Sequence, residues 1–196
     1  TLAMLFLTGA LAWVERLLLD GNRFGPAGAS ALLSELGYGD APRLKDLNLG
    51  SNGLGTAGAS ALAGALSRGA LPKLKDLRVN HNGLGDEGLT ALAAPLRRHS
   101  ALEQLVFDDD SIADTGLSAL VDNLGEKELK QLEVLNLGSN QITDAGCASI
   151  SAAMDLHALP SLEFAFLLAN PVSFVAKEAL RVALQANVAR WSASIA

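Results

Sequence analysis

The stretch Leu44-Lys45-Asp46-Leu47-Asn48-Leu49-Gly50-Ser51-Asn52-Gly53-Leu54, LKDLNLGSNGL, decides the reading of this chain. Its pattern, LxxLxLxxNxL, returns in segments that begin at Val14, Leu44, Leu74, Leu102, Leu132 and Leu162. The spacings are 30, 30, 28, 30 and 30 residues. The fifth copy reads Leu132, Leu135, Leu137, Asn140 and Ile142, and the sixth Leu162, Ala165, Leu167, Asn170 and Val172. Self-similarity at such a period is the mark of a stacked-repeat architecture.

Each slot has a physical reading. Alternation across LxL predicts a short strand, one side chain in and the next out. The recurring Asn22, Asn52, Asn82, Asn140 and Asn170 carry a donor and an acceptor each. Stacked at one level, they can satisfy backbone groups left unpaired where the chain leaves the strand. The fourth copy has Asp110 in that slot, and an ionised carboxylate accepts without donating, so half of the bonding is expected to be lost there. The second half of each repeat reads as a helix. Thr56, Asp86, Asp114 and Asp144 precede it as N-cap candidates. Gly28, Gly58, Gly88, Gly116 and Gly146 follow, read as close packing of the helix start on the strand layer. Pairs such as Leu62 and Leu66 then fall at i and i+4 on one face.

Strand, turn, helix and return in about 30 residues resemble a leucine-rich repeat. The spacing and the G-x-x-x-L-x-x-x-L helix are similar to the ribonuclease-inhibitor-like subfamily. Its members include ribonuclease inhibitor, the C-terminal arrays of NOD-like receptors and Ran GTPase-activating protein. The resemblance covers essentially the whole chain. It implies an α/β solenoid, a curved arc with a parallel β-sheet on the concave face and helices on the convex face. The expected organisation is one solenoid over 1–196. It divides into a partial repeat at 1–13, six repeats over 14–172, and a C-terminal capping helix at 173–196. The cap rests on Leu180, Leu184, Val188 and Trp191, which form a long helical stripe. At the other end TLAMLF has Leu2 and Phe6 in register with Leu32 and Leu36, as the helix of an earlier repeat. A signal-peptide remnant is the alternative for that segment.

Composition narrows the function. Nearly half the residues are hydrophobic but only 5% are aromatic, so the core is aliphatic. The formal charge of −6 argues against a nucleic-acid partner, which needs a basic field. No uncharged apolar run reaches the ~20 residues of a membrane helix. A single cysteine, Cys147, excludes an internal disulfide and favours an intracellular, reducing setting. It sits in a helix core slot with no histidine placed to activate it. His81, His99 and His157 share no metal-ligand spacing and read as surface residues, His81 alone falling beside the concave face. Asp108-Asp109-Asp110 reads as a turn of solvated carboxylates rather than a cation site. No cofactor is expected, and no catalytic residue.

The outward strand positions change along the array. In the first three repeats they are mostly charged or amide-bearing. From the fourth, Val106, Val134, Phe164, Phe166 and Leu168 are apolar. Either the C-terminal helix or a missing segment covers them, or a partner does. With Arg78 and His81 they are the candidate partner-binding residues. The expected function is a non-catalytic protein–protein interaction scaffold, binding through the concave sheet and serving in a multi-subunit complex. The resemblance leaves two alternatives: a GTPase-activating-protein-like regulator, and the ligand-sensing array of a NOD-like receptor.

Overall fold

The computed structural model describes residues 5, 8–122, 124–125 and 128–194, with only the backbone of 191–194. Leu2, Phe6 and the side chain of Trp191 lie outside these. Within the described residues six strands alternate with six helices. The strands are β1 (Arg16–Leu18), β2 (Asp46–Asn48), β3 (Asp76–Arg78), β4 (Gln104–Val106), β5 (Val134–Asn136) and β6 (Phe164–Phe166). The helices are α1 (Gly25–Leu33), α2 (Gly55–Ser67), α3 (Gly85–Arg98), α4 (Asp114–Val121), α5 (Asp144–Asp155) and α6 (Phe174–Ser194). The strands form one open parallel sheet in chain order. Its register aligns Leu47, Leu77, Leu105, Leu135 and Ala165, as the repeat phase requires. This is the α/β solenoid that the repeat predicts. No helix among the described residues is long and apolar enough to cross a membrane.

The core lies between sheet and helices and is built in columns. Leu44, Leu74, Leu102, Leu132 and Leu162 are all essentially inaccessible. Leu49, Val79, Phe107 and Leu137 form a second column, with Phe107 the largest fully buried side chain. Each buried leucine contributes about 1.5–3 kcal/mol. Adjacent repeats share every column, so the stability is that of a stack rather than of single units.

The Asn column is the polar spine. Asn140 Oδ1 accepts from the Asp110 and Ile112 N–H groups at 3.1 and 2.9 Å, and its Nδ2 donates to the carbonyls of Phe107, Leu137 and Gly138. Asn82 and Asn52 do the same two and three junctions earlier. Asp110 keeps the accepting half, taking the Asn82 N–H at 2.8 Å and the Leu84 N–H at 3.4 Å on Oδ1. Its Oδ2 is buried without a partner among the described residues. Asp110 is therefore no solvated turn residue; it is 0% exposed. Burial pushes its carboxyl up to about 7, against the opposing pull of backbone hydrogen bonds.

Two helix-start expectations are corrected. Thr56, Asp86, Asp114 and Asp144 are inside their helices, not at the caps. The three aspartates instead reach forward to the next repeat. Asp86 accepts from the Ala113 N–H at 2.7 Å, Asp114 from Thr143 and Gly146, and Asp144 from Ser173. The starts of α4, α5 and α6 are thus held by the repeat before them. The glycines follow the same logic. A Cβ on Gly146 would lie 2.5 Å from both Asp114 Oδ1 and Ile142 Cγ2, so the close neighbours include the preceding helix and not only the strand side. Gly146→Ala should cost about 1–3 kcal/mol, since Ile142 is β-branched and cannot swing aside. An unchanged urea midpoint would remove this explanation of the glycine.

The array also changes its turn midway. In repeats two and three a helical-conformation Leu54 or Leu84 precedes a glycine at positive φ, Gly55 at +57° and Gly85 at +63°. In repeats four and five an extended residue, Ala113 or Thr143, leads directly into the helix. Sequence marks the change: Asn-Gly-Leu-Gly at 52–55 and 82–85 gives way to Asp-Ser-Ile-Ala-Asp at 110–114. The glycine supplies a conformation that residues with a Cβ adopt only with strain.

Candidate partner-binding surface

The outward side chains of the six strands stand on one face, in rows set by the parallel register. The first three strands carry a self-satisfied polar network. Asp46 is buried and accepts from Arg16 Nε and Arg78 Nη1, each at 3.2 Å. Asn48 donates to Asp20 at 3.2 Å. Between these charges the Asp76 carboxyl is raised, chiefly by burial and next by the nearby Asp46. Arg78 is thus committed to Asp46. His81 is also engaged: its Nδ1 lies 2.7 Å from Asp109 and its Nε2 3.4 Å from Asp108.

Farther along, the chemistry changes. Phe164 and Phe166 of β6 stack with ring centroids 6.0 Å apart and planes within 4°. They are 50% and 49% exposed, and Leu168 beside them is 82% exposed. The described part of α6 does not cover them. It buries Leu180 against the end of the core and leaves Leu184 and Val188 half-buried. Two openings remain between β6 and α6, of about 450 and 290 Å³. Val134 pairs with Phe164 in register and is half-buried.

The seven nominated residues therefore do not form one patch. Phe164, Phe166, Leu168 and Val134 gather at the end of the sheet. Arg78 and His81 lie on and just beyond β3, about 14 Å away at ~4.8 Å per strand. Val106 between them is only 7% exposed. It does not contribute exposed apolar surface, because a short side chain flanked by Arg78 and Asn136 in the register is overshadowed by its neighbours. Sequence reading passed over Asp46, the hub of the polar network. The signal was there: Arg16 and Arg78 occupy outward slots on the strands either side of it.

The other candidates resolve separately. His99 is not a surface residue. It is half-buried in a return slot that elsewhere holds Leu71 or Leu129, its Nε2 is 2.8 Å from the Leu71 carbonyl, and burial lowers its pKa. His157 is exposed. Cys147 is buried, and that burial pushes its thiol up to about 11. Among the described residues no group of three or more His, Cys, Asp or Glu side chains could hold a metal ion.

A family model described as Leucine Rich repeat matches residues 42–63, 70–93 and 130–151. Over those three stretches the repeats match the leucine-rich repeat pattern. Among solved structures, the chain is similar to one titled "Leiomodin-1 Actin-Binding Site 2 (ABS2)". The TM-score is 0.62 at 14% identity, over 78% of this chain and 86% of that one. At that identity the likeness speaks for the leucine-rich repeat fold alone. No curated protein matches the chain. Solenoids of stacked repeats generally present extended concave surfaces that serve for binding.

Proposed function

We propose that this array is a non-catalytic scaffold that binds a protein partner through the last strands of its concave face, as a subunit of a larger assembly. The observation that carries this is the stacked, half-exposed Phe164–Phe166 pair with Leu168 beside it. Soluble proteins rarely leave such a cluster open, and aromatic residues in a concave site are effective interface anchors. The polar network around Asp46 then serves as a rim that orients the partner. A non-catalytic role is supported by the unreactive state of Cys147, whose thiol stays protonated near neutral pH. The charge of −6 supports a protein rather than a nucleic acid as partner. We place the array in the ribonuclease-inhibitor-like subfamily on its spacing of about 30 residues, and inside the cell on its single cysteine.

The test begins with affinity purification from the native source to obtain the partner. Phe164→Ser combined with Phe166→Ser should then lower capture by at least ~100-fold, the loss of two anchors at about 1.4 kcal/mol or more each. Both side chains are half exposed, so the urea midpoint should stay within error of the parent. Undiminished capture by the folded double variant would refute the concave-face reading.

A further inference from the structure

Charge is divided unevenly along the concave face. Each repeat offers the residue before its strand, two outward strand positions, and the second and third residues after the strand. Over β1–β3 these slots hold four cations, Arg16, Lys45, Lys75 and Arg78, and four acids, Glu15, Asp20, Asp46 and Asp76. Several are paired with one another: Lys45 meets Glu15 at 3.0 Å, and Arg16 and Arg78 share Asp46. Over β4–β6 the same slots hold five acids, Glu103, Asp108, Asp109, Glu133 and Glu163, and no Lys or Arg.

Three of the five acids are answered from the third repeat. Lys75 pairs with Glu103, and His81 contacts Asp108 and Asp109. Glu133 and Glu163 are exposed and have no ion pair among the described residues. Lys75, which also feels Glu133, is taken by Glu103. Arg181, which lines the same opening as Glu163, is taken by Glu178. The two carboxylates flank the half-exposed aromatic pair: Glu163 immediately precedes Phe164, and Glu133 precedes Val134, which pairs with Phe164 in register. An apolar cluster edged by uncompensated negative charge disfavours nucleic acid, anionic lipid and a second copy of a chain that itself carries −6. The area measures about 10 Å across the strands and about 17 Å from Glu163 to Leu168, at ~4.8 Å per strand and ~3.3 Å per residue. That is the footprint of a polypeptide segment. Outward side chains point away from the stack, so a further repeat would lengthen this face without covering it.

We propose that this face takes a basic segment of a partner protein, with an apolar centre lying on Phe164, Phe166 and Leu168 and with Lys or Arg meeting Glu133 and Glu163. This rests on the concave-face reading above and gives the partner its chemistry. The apolar centre supplies most of the affinity, while the flanking cations fix orientation and speed encounter. Arg has a second use here. Its guanidinium can lie on a Phe ring while its N–H groups reach a carboxylate.

The probe is a library of random short peptides displayed on phage and selected on the immobilised protein. Recovered sequences should combine apolar or aromatic residues with Lys or Arg and be poor in Asp and Glu. A recovered peptide, made synthetically, should bind ~10-fold or more weakly to the Glu133→Lys, Glu163→Lys variant at low salt. The difference should shrink near 1 M salt, where the Debye length is ~3 Å. Phe164→Ser with Phe166→Ser should weaken the same peptide ~100-fold at either salt. Recovered peptides without an excess of Lys and Arg, yet dependent on the two Phe residues, would overturn the basic partner and leave the concave-face reading standing. Basic peptides that bind the Phe164→Ser, Phe166→Ser protein undiminished would overturn both. Unchanged affinity in the Glu133→Lys, Glu163→Lys variant, or no enrichment over the bare support, would overturn the proposal alone. So would self-association of the protein that is lost in the Phe164→Ser, Phe166→Ser variant, which would assign the face to a second copy.

Discussion

Asp110→Asn should stabilise the protein at pH 8 by about 1–3 kcal/mol, the value of restoring donors to an underbonded buried site. In the neighbouring slots an amide donates to carbonyls that Asp110 cannot serve when ionised. The pH dependence gives the sharper test. Burial raises the folded carboxyl to about 7, with a smaller push from Asp108, whereas an unfolded aspartate titrates near 3.9. From about pH 4 to 7 the folded state therefore holds a proton that the unfolded state has lost. Stability falls as pH rises through that window and levels off above it, by on the order of 1.4 kcal/mol per unit at most. In the variant this contribution vanishes. The gap between variant and parent in urea unfolding should then be small at pH 5 and full at pH 8. A gap independent of pH would mean that Asp110 is not the titrating group.

Asn140→Ala should be among the most damaging single changes in the polar spine. It removes the acceptor for two N–H groups and the donor to three carbonyls, all buried or nearly so. Leaving that many groups unpaired costs about 3–5 kcal/mol, a large part of the 5–15 kcal/mol typical of a whole domain. Asn22→Ala is the control. Its side chain donates only to the Leu19 and Asp20 carbonyls near the surface, and the expected cost is about 1 kcal/mol or less. Similar urea midpoints for the two variants would show that the spine is not cooperative.

The strands and their register were legible because a two-residue alternation and a strict repeat are local signals. Leu47 and Leu135 announce themselves within their own segments. The helix starts were misread for the opposite reason. Asp114 looks like a cap when only its own repeat is in view, yet its bonds go to Thr143 and Gly146, about 30 residues on. Gly146 was read against the strand layer because the Asp114 side chain beside it comes from the previous repeat. His99 was misplaced because a polar residue in a return slot gives no sign of the apolar neighbours its column supplies. The exposure of Phe164 and Phe166 was not legible at all. It depends on the path of α6, and the sequence stripe Leu180, Leu184, Val188 was compatible with covering them or not.

The midway change of turn has a consequence for how such a chain can be lengthened or shortened. Repeats that enter their helices through a positive-φ glycine are geometrically interchangeable with one another. So are those that enter through an extended residue. Whole units can be duplicated or deleted within either block while every seam keeps a geometry already in use. The seam between the third and fourth repeats, where Asp86 meets Ala113 and Asp110 replaces the amide, is the one place where two dialects are joined. It has no copy elsewhere among the described repeats, so it is the seam that recombination cannot regenerate from its neighbours.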